Sequence, residues 1–233
     1  MEGIEDFISA EIDGWFVVAR KGFHGKLLEV IKNGEKIAGG RGFILRYGGI
    51  VGRLYRRGGL LGNLFKYPFF FEYKRPFEEL KIHLYAFKNK IYVPEPMGYA
   101  MKRNGLFLRA FFFSSYIEGI GLERAMSGDR ENLLKKIGES IRKLHDISVY
   151  HSDLNVRNFL ISGGRVYMLD FDKSRMENMS RKKRLLNLER FLRSLCKEDL
   201  YKSGDEELII EGYGMDLPLK RKKYWRFLWA LGL

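Results

Sequence analysis

The run His151-Ser152-Asp153-Leu154-Asn155-Val156-Arg157-Asn158, followed by Asp170-Phe171-Asp172, holds the residues best suited to chemistry. Asp153 and Asn158 stand five positions apart, and Asp170 follows Asn158 by twelve, after an apolar stretch. Phosphoryl transfer asks for such a set. A carboxylate orients the attacking hydroxyl and accepts its proton, while oxygen ligands hold Mg²⁺ against the phosphates of ATP. A loop carrying Asp153 and Asn158, followed by a hairpin ending in Asp170, brings these groups together. His151 supports the loop by packing and hydrogen bonding. An isolated Asp-x-x-x-x-Asn is ordinarily a polar surface loop. The histidine, the spacing and the second carboxylate set this stretch apart.

A nucleotide needs a cradle as well. Gly39-Gly40-Arg41-Gly42 lies between two strand candidates, where the backbone N–H groups of Gly40, Arg41 and Gly42 can cover phosphates. Glycine-rich turns also serve plain hairpins. A strand cation paired with a helix carboxylate is the other usual phosphate anchor. The strand candidate Ile50-Val51-Gly52-Arg53 ends in arginine, and the next helix offers Glu78 and Glu79. Arg53 can bind the α- and β-phosphates as a permanent cation, with Glu79 fixing it. The connection Ser114-Ser115-Tyr116-Ile117 is the expected place for adenine, with Ser115 and Tyr116 at its centre. No Gly-x-x-x-x-Gly-Lys-Ser/Thr occurs, which argues against a Walker-type site.

The elements that must position these residues change character along the chain. Trp15 to Arg20 reads as a strand, and Lys26 to Ile31 as a second, stopped by the hairpin dipeptide Asn33-Gly34. Ile44 and Leu45 lead into a turn at Gly48-Gly49, and Ile50 to Arg56 is a further strand. Phe77, Leu80, Leu84 and Phe87 recur at helical spacing, so a helix is expected over 76–88. Pro94 and Pro96 break it, and Leu106 to Phe113 returns to strand character. Asp129 can cap a helix in which Leu133, Ile137, Ile141 and Leu144 share a face. A hairpin follows, with Phe159 to Ile161, the turn Gly163-Gly164, and Val166 to Leu169. Residues 181–201 read as another helix. The fold class is therefore α+β, with a β-rich N-terminal lobe (1–113) and a mainly helical C-terminal lobe (114–233).

The composition permits a large core, with 45% hydrophobic residues among 233. A net charge of +13 favours anionic partners, whether nucleic acid, acidic lipid or phosphorylated sugar. With one cysteine, Cys196, an internal disulfide is impossible. The N-terminus does not read as a secretory signal, and no apolar run approaches the ~18 residues of a membrane span, so membrane contact is expected to be peripheral.

The stretch His-Ser-Asp-Leu-Asn-x-x-Asn-x-Leu-Ile with Leu-Asp-Phe-Asp-Lys resembles the lipopolysaccharide sugar kinases, nearest to the 3-deoxy-D-manno-octulosonic acid (Kdo) kinase type. The segment Tyr55-Arg56-Arg57-Gly58-Gly59-Leu60-Leu61-Gly62, Val93-Pro94-Glu95-Pro96 and Ile141-Arg142-Lys143-Leu144-His145-Asp146 strengthen the likeness. It runs from about Gly40 to Arg175. The resemblance implies a two-lobed protein-kinase-like fold. It implies Asp153 as catalytic base, Asn158 and Asp170 as metal ligands, and Arg53 with Glu79 as the phosphate anchor and its partner. The implied reaction is phosphorylation of a Kdo hydroxyl on a lipid A precursor, with ATP and Mg²⁺, at the cytoplasmic face of the inner membrane.

Ser152 in place of an arginine, Asp172 in place of a glycine, and the lack of Ala-Pro-Glu argue against a peptide substrate. Lys173, Arg175 and Arg181 to Arg184 can face an acidic glycolipid, or form a solvated basic helix start. Lys220 to Trp229 mixes cations with aromatics and suits either an anionic membrane or the core, as does Phe69-Phe70-Phe71. Two alternatives stay open: a heptose or other small-molecule kinase, and a non-catalytic pseudokinase that binds nucleic acid or membrane. The intact Asp153, Asn158 and Asp170 set weighs against the second, and nucleic acid is not the expected partner.

Overall fold

A computed structural model describes residues 4–37, 44–56 and 70–219. Contacts divide the chain into two units. One combines the chain up to Phe87 with Pro94–Ile117, and the other combines Lys88–Val93 with the chain from Glu118 onward.

The first unit holds β1 (Phe7–Ile12), β2 (Trp15–Arg20), α1 (His24–Asn33), β3 (Glu35–Ile37), β4 (Ile44–Tyr47), β5 (Ile50–Leu54), α2 (Arg75–Lys88), β6 (Pro96–Asn104) and β7 (Phe107–Ser115). Among the described residues its strands form one antiparallel sheet in the order β1-β2-β6-β7-β5-β4-β3. Strand β7 explains the two-faced core. Its side chains alternate, so Phe111 and Phe113 pack with Trp15, Val17, Leu27 and Val30 on one face. Leu108, Ala110 and Phe112 pack with Tyr99, Leu80 and Leu84 on the other. Helix α1 covers the first face and α2 the second.

Two readings of the sequence are corrected here. Lys26 to Ile31 lies in helix α1, not in a strand, with Leu27, Leu28 and Val30 buried. The run is too short for its length to arbitrate. Its apolar residues at 27, 28, 30 and 31 make a helical stripe once a sheet face is there to cover it. Asn33-Gly34 is accordingly a helix end rather than a hairpin, with the Gly34 N–H bonded to the Val30 carbonyl at 3.1 Å. Strand β6 had no sequence signal, because Pro94 and Pro96 read only as breakers. A proline is tolerated as the first residue of a strand, and Pro96 takes that place. The hairpin at Gly48-Gly49 is as expected, with φ of 54° and 77° and Tyr47 opposite Ile50. The motif Gly39 to Gly42 and the segment 57–62 lie outside the described residues, as do Phe69 and Lys220 to Trp229.

The second unit holds β8 (Ile120–Gly121), α3 (Leu122–Ala125), α4 (Arg130–Asp146), β9 (Val149–Tyr150), β10 (Phe159–Ser162), β11 (Arg165–Met168), β12 (Arg175–Met176), α5 (Arg181–Lys197) and α6 (Asp205–Tyr213). Asp129 caps α4 by accepting from the Asn132 N–H at 3.2 Å. Leu133, Ile137, Ile141 and Leu144 are all buried, as their spacing requires. Among the described residues no helix is long and apolar enough to cross a membrane.

Helices α4 and α6 approach until backbone meets backbone. A Cβ on Gly138 would sit 2.2 Å from the Ile209 carbonyl oxygen, and one on Gly212 would sit 1.9 Å from that of Lys135. Arg130 holds the near ends, its Nε 3.0 Å from Asp205 Oδ1. At a free helical position Gly→Ala would stabilise by up to ~1 kcal/mol. Here the overlap with backbone reverses the sign. Gly138→Ala should lose on the order of 1–3 kcal/mol or more, seen as a lower urea midpoint at unchanged slope.

Candidate active site

The loop after β9 is built from the inside out. Leu154 and Val156 are buried and pin the loop to the core, while Asp153 just before them stays exposed. The Val156 N–H donates to Ser194 Oγ at 3.0 Å, tying the loop to α5. A short 3-10 turn, Val156–Asn158, then leads into β10, capped by Asn155, whose side chain accepts from the Arg157 N–H at 2.9 Å.

Asn158 folds back over the loop. Its Nδ2 donates to the Asp153 carbonyl at 2.8 Å and lies 3.5 Å from Asp153 Oδ2. With its N–H groups so used, Oδ1 is left as the acceptor end. The Asn158 carbonyl in turn accepts from the Leu169 N–H at 2.9 Å, linking this turn to the end of β11.

His151 is the strut of the arrangement. It is wholly buried, its Nδ1 accepts from the Asp153 N–H at 3.2 Å, and its Nε2 lies 3.0 Å from the Leu169 carbonyl. A carbonyl can only accept, so the proton resides on Nε2 and the ring is neutral. Burial also lowers its pKa, the main cause, against smaller opposing effects of the Leu169 bond and the Asp170 and Asp153 carboxylates. One ring thus joins the Asp153 amide to the residue just before Asp170.

Asp170 has a left-handed backbone, φ 60°, unusual for a non-glycine residue. Its Oδ1 accepts from the Asp172 N–H at 3.3 Å. The following segment is fastened to the loop, with Ser152 Oγ bonded to the Lys173 carbonyl and the Ser152 N–H 3.4 Å from Ser174 Oγ. The structure therefore brings Asp153, His151 and Asn158 into one loop and connects that loop to Asp170.

Behind the loop runs a buried polar chain that the sequence reading missed. Asn187 Nδ2 donates to the His151 carbonyl at 2.9 Å, and its Oδ1 is 3.0 Å from His145 Nε2. His145 Nδ1 is 2.9 Å from the Tyr213 hydroxyl, which also receives Arg184 NH1 at 3.1 Å. Asp146 pairs with both Arg184 and Arg142 at 2.8 Å. His145 belongs to the Ile141–Asp146 stretch of the family likeness, but Asn187 and Tyr213 sit 36 and 62 positions beyond His151 with no local signal.

In the first unit Arg53 and Glu79 meet. Arg53 NH2 lies 2.6 and 2.7 Å from the two Glu79 oxygens, and Glu79 is almost fully buried. The Tyr55 hydroxyl donates to the same carboxylate, another partner the sequence reading did not name. Glu78 instead faces Lys81 at 3.1 Å. The Ser115 N–H bonds the Glu95 carbonyl and the Tyr116 N–H bonds the Gly49 carbonyl, both at 2.8 Å. The Arg46 guanidinium sits 3.8 Å from the Tyr116 ring centre. Gly40, Arg41 and Gly42 fall outside the described residues. Of the basic residues after Asp170, Arg184 belongs to the buried chain, Lys183 and Arg175 pair with Glu177, and Arg181 bonds the Asp216 carbonyl.

The sequence family described as "Lipopolysaccharide kinase (Kdo/WaaP) family" matches residues 23–213. The chain belongs to this family. It is 35% identical over 157 residues to the 3-deoxy-D-manno-octulosonic acid kinase of Vibrio parahaemolyticus, covering 66% of this chain and 63% of that protein. It is 34% identical over 134 residues to the enzyme of the same name from Vibrio vulnificus, covering 52% and 55%. The matched part is thus less than two thirds of the length of these curated relatives. Among solved structures, WaaP in complex with acyl carrier protein shares the fold at a TM-score of 0.57 and 14% identity, covering 92% of this chain and 94% of that one. The chain has the α+β, two-lobed protein-kinase-like fold, with a β-rich N-terminal part and a helical C-terminal part.

The polar chain makes stability depend on pH. Burial, the largest cause, lowers the His145 pKa to about 4, with the Asn187 bond opposing and Arg184, Asp146 and His151 adding smaller effects. The unfolded chain takes up that proton at an ordinary ~6.5. Between the two values the unfolded state binds more protons, so stability is complete above pH 6.5 and falls towards pH 4. His145 accounts for about 3 kcal/mol of that loss. An NMR titration should find its imidazole still neutral at pH 5, and denaturation should show decreasing stability between pH 6.5 and 5.

Proposed function

We propose that the protein is an ATP-dependent kinase that phosphorylates a Kdo hydroxyl on a lipid A precursor, in lipopolysaccharide core biosynthesis. The observation that carries this reading is the Asp153–Asn158 loop, held through His151 to the residue before Asp170, in a chain of this family.

In this reading Asp153 orients the sugar hydroxyl and accepts its proton as the oxygen attacks the γ-phosphorus of ATP. The loop presents the Asp153 carboxylate to solvent and fixes its backbone from both sides, which suits a base that must meet an incoming acceptor. His151 does not exchange protons, because both ring nitrogens are engaged and the ring is neutral. Its part is to hold Asp153 in register with Asp170. Arg53, aligned by Glu79 and Tyr55, binds the α- and β-phosphates.

Asn158 Oδ1 and the Asp170 carboxylate are hard oxygen donors, the kind Mg²⁺ takes. Among the described residues no group of three or more His, Cys, Asp and Glu could hold a metal alone. Mg²⁺ at a nucleotide needs only one or two carboxylates with substrate phosphates, so the pair fits. When bound, Mg²⁺ neutralises charge on the transferring phosphoryl group.

The acceptor carries the Kdo carboxylate and the lipid A phosphates, and a net charge of +13 complements both. The same charge draws the protein to the anionic cytoplasmic face of the inner membrane, where it works as a peripheral protein.

Labelled ATP, Mg²⁺ and Kdo-lipid A in detergent provide the test. Wild type should transfer phosphate, and folded Asp153→Asn should lose about 10²- to 10⁴-fold in kcat. Nucleotide binding without transfer to that lipid would overturn the acceptor. Arg53→Met should raise the KM for ATP about tenfold or more, the worth of one charge-assisted hydrogen bond.

A further inference from the structure

Asn187 touches none of the groups given a chemical role, yet it holds the residue that orders them. Asn187, His145 and His151 are wholly buried, and Tyr213 nearly so. The direction of every hydrogen bond in their chain is determined. The His151 carbonyl has no proton, so Asn187 must present its NH₂ there and its oxygen to His145. His145 therefore carries its proton on Nε2, and Nδ1 accepts from the Tyr213 hydroxyl. Arg184 donates to the Tyr213 oxygen from the far end. Each member can donate in one direction only, and that direction ends at the catalytic loop.

His151 is thus held at three points. Its carbonyl belongs to Asn187, its Nδ1 to the Asp153 amide and its Nε2 to the Leu169 carbonyl. The last two attachments set the base and the metal-ligand strand. The first sets His151 itself. A buried carbonyl that loses its donor must turn to find another, and the peptide and ring turn with it.

We propose that Asn187 is a positioning residue for phosphoryl transfer, anchoring the catalytic loop through the His151 carbonyl, with His145 and Tyr213 as its support. The consequence for turnover rests on the kinase reading above. Misplacement of the base by a fraction of an ångström lowers kcat, whereas the grip of Arg53 on the ATP phosphates does not pass through this chain.

The test compares wild type with Asn187→Leu, which keeps the side-chain size and removes both bonds. Two readouts are taken: hydrogen exchange at the Asp153 amide, and kcat and KM for phosphate transfer to Kdo-lipid A. In the variant the Asp153 amide should exchange at least about tenfold faster, with kcat down on the order of 10- to 100-fold and the ATP KM within about twofold. Unchanged exchange at Asp153, or kcat within about twofold of wild type, would overturn the proposal. If Asn187→Leu does not fold, Tyr213→Phe takes its place. It removes the donor to His145 and the acceptor for Arg184 while leaving both Asn187 bonds in place, and the same two readouts should then move by a few-fold or the proposal falls. Should wild type transfer nothing to the lipid while substitution still frees the Asp153 amide, the acceptor reading fails and the anchoring role stands.

Discussion

The neutral, buried imidazole of His151 is the constraint around which the second unit is arranged. Its two nitrogens make opposite demands, one needing a donor and the other an acceptor. The chain meets them with the Asp153 amide and the Leu169 carbonyl, 16 positions apart. A charged ring would break this pairing, because Nδ1 would then have to donate towards an N–H. Burial removes that possibility by disfavouring the charged form.

A second buried histidine repeats the logic at one remove. His145 is neutral for the same reason, and it too is read as acceptor on one nitrogen and donor on the other. Two buried histidines, linked by the Asn187 amide from the ring of His145 to the carbonyl of His151, form a polar core between α4, α5, α6 and the loop. Such a core is costly to assemble and costly to leave incomplete, so it specifies one arrangement of the surrounding helices. The close crossing of α4 and α6 at Gly138 and Gly212 belongs to the same design, because it brings Tyr213 within reach of His145. In the first unit the buried carboxylate is Glu79, and its charge is met by the Arg53 guanidinium and the Tyr55 hydroxyl together. Burial of such a carboxylate is tolerable only with this degree of pairing.

Local pattern carried the sequence reading far where one element decides its own form. The capped, periodic helix from Arg130, the glycine hairpins and the β7 strand were legible because capping, φ > 0 turns and alternation are local effects. The reading failed at Lys26 to Ile31, where a short apolar run suits strand and helix alike and the sheet face chose the helix. It passed over β6, where proline masked a strand that pairing with β2 and β7 sustains.

The sequence by itself determined the chemical set. Asp153, Asn158 and Asp170 are the right types at a spacing that a loop and hairpin can bring together, and the family likeness is written in the same residues. Glu79 as the partner of Arg53 was expected from the family likeness, and the structure pairs the two while Glu78 faces Lys81. What only the tertiary structure decided is who holds the set in place. Asn187 and Tyr213 come from helices that follow the loop, and hydrogen bonds between buried groups far apart in sequence leave no trace in spacing or periodicity. They form because desolvated polar groups must find partners wherever folding puts them.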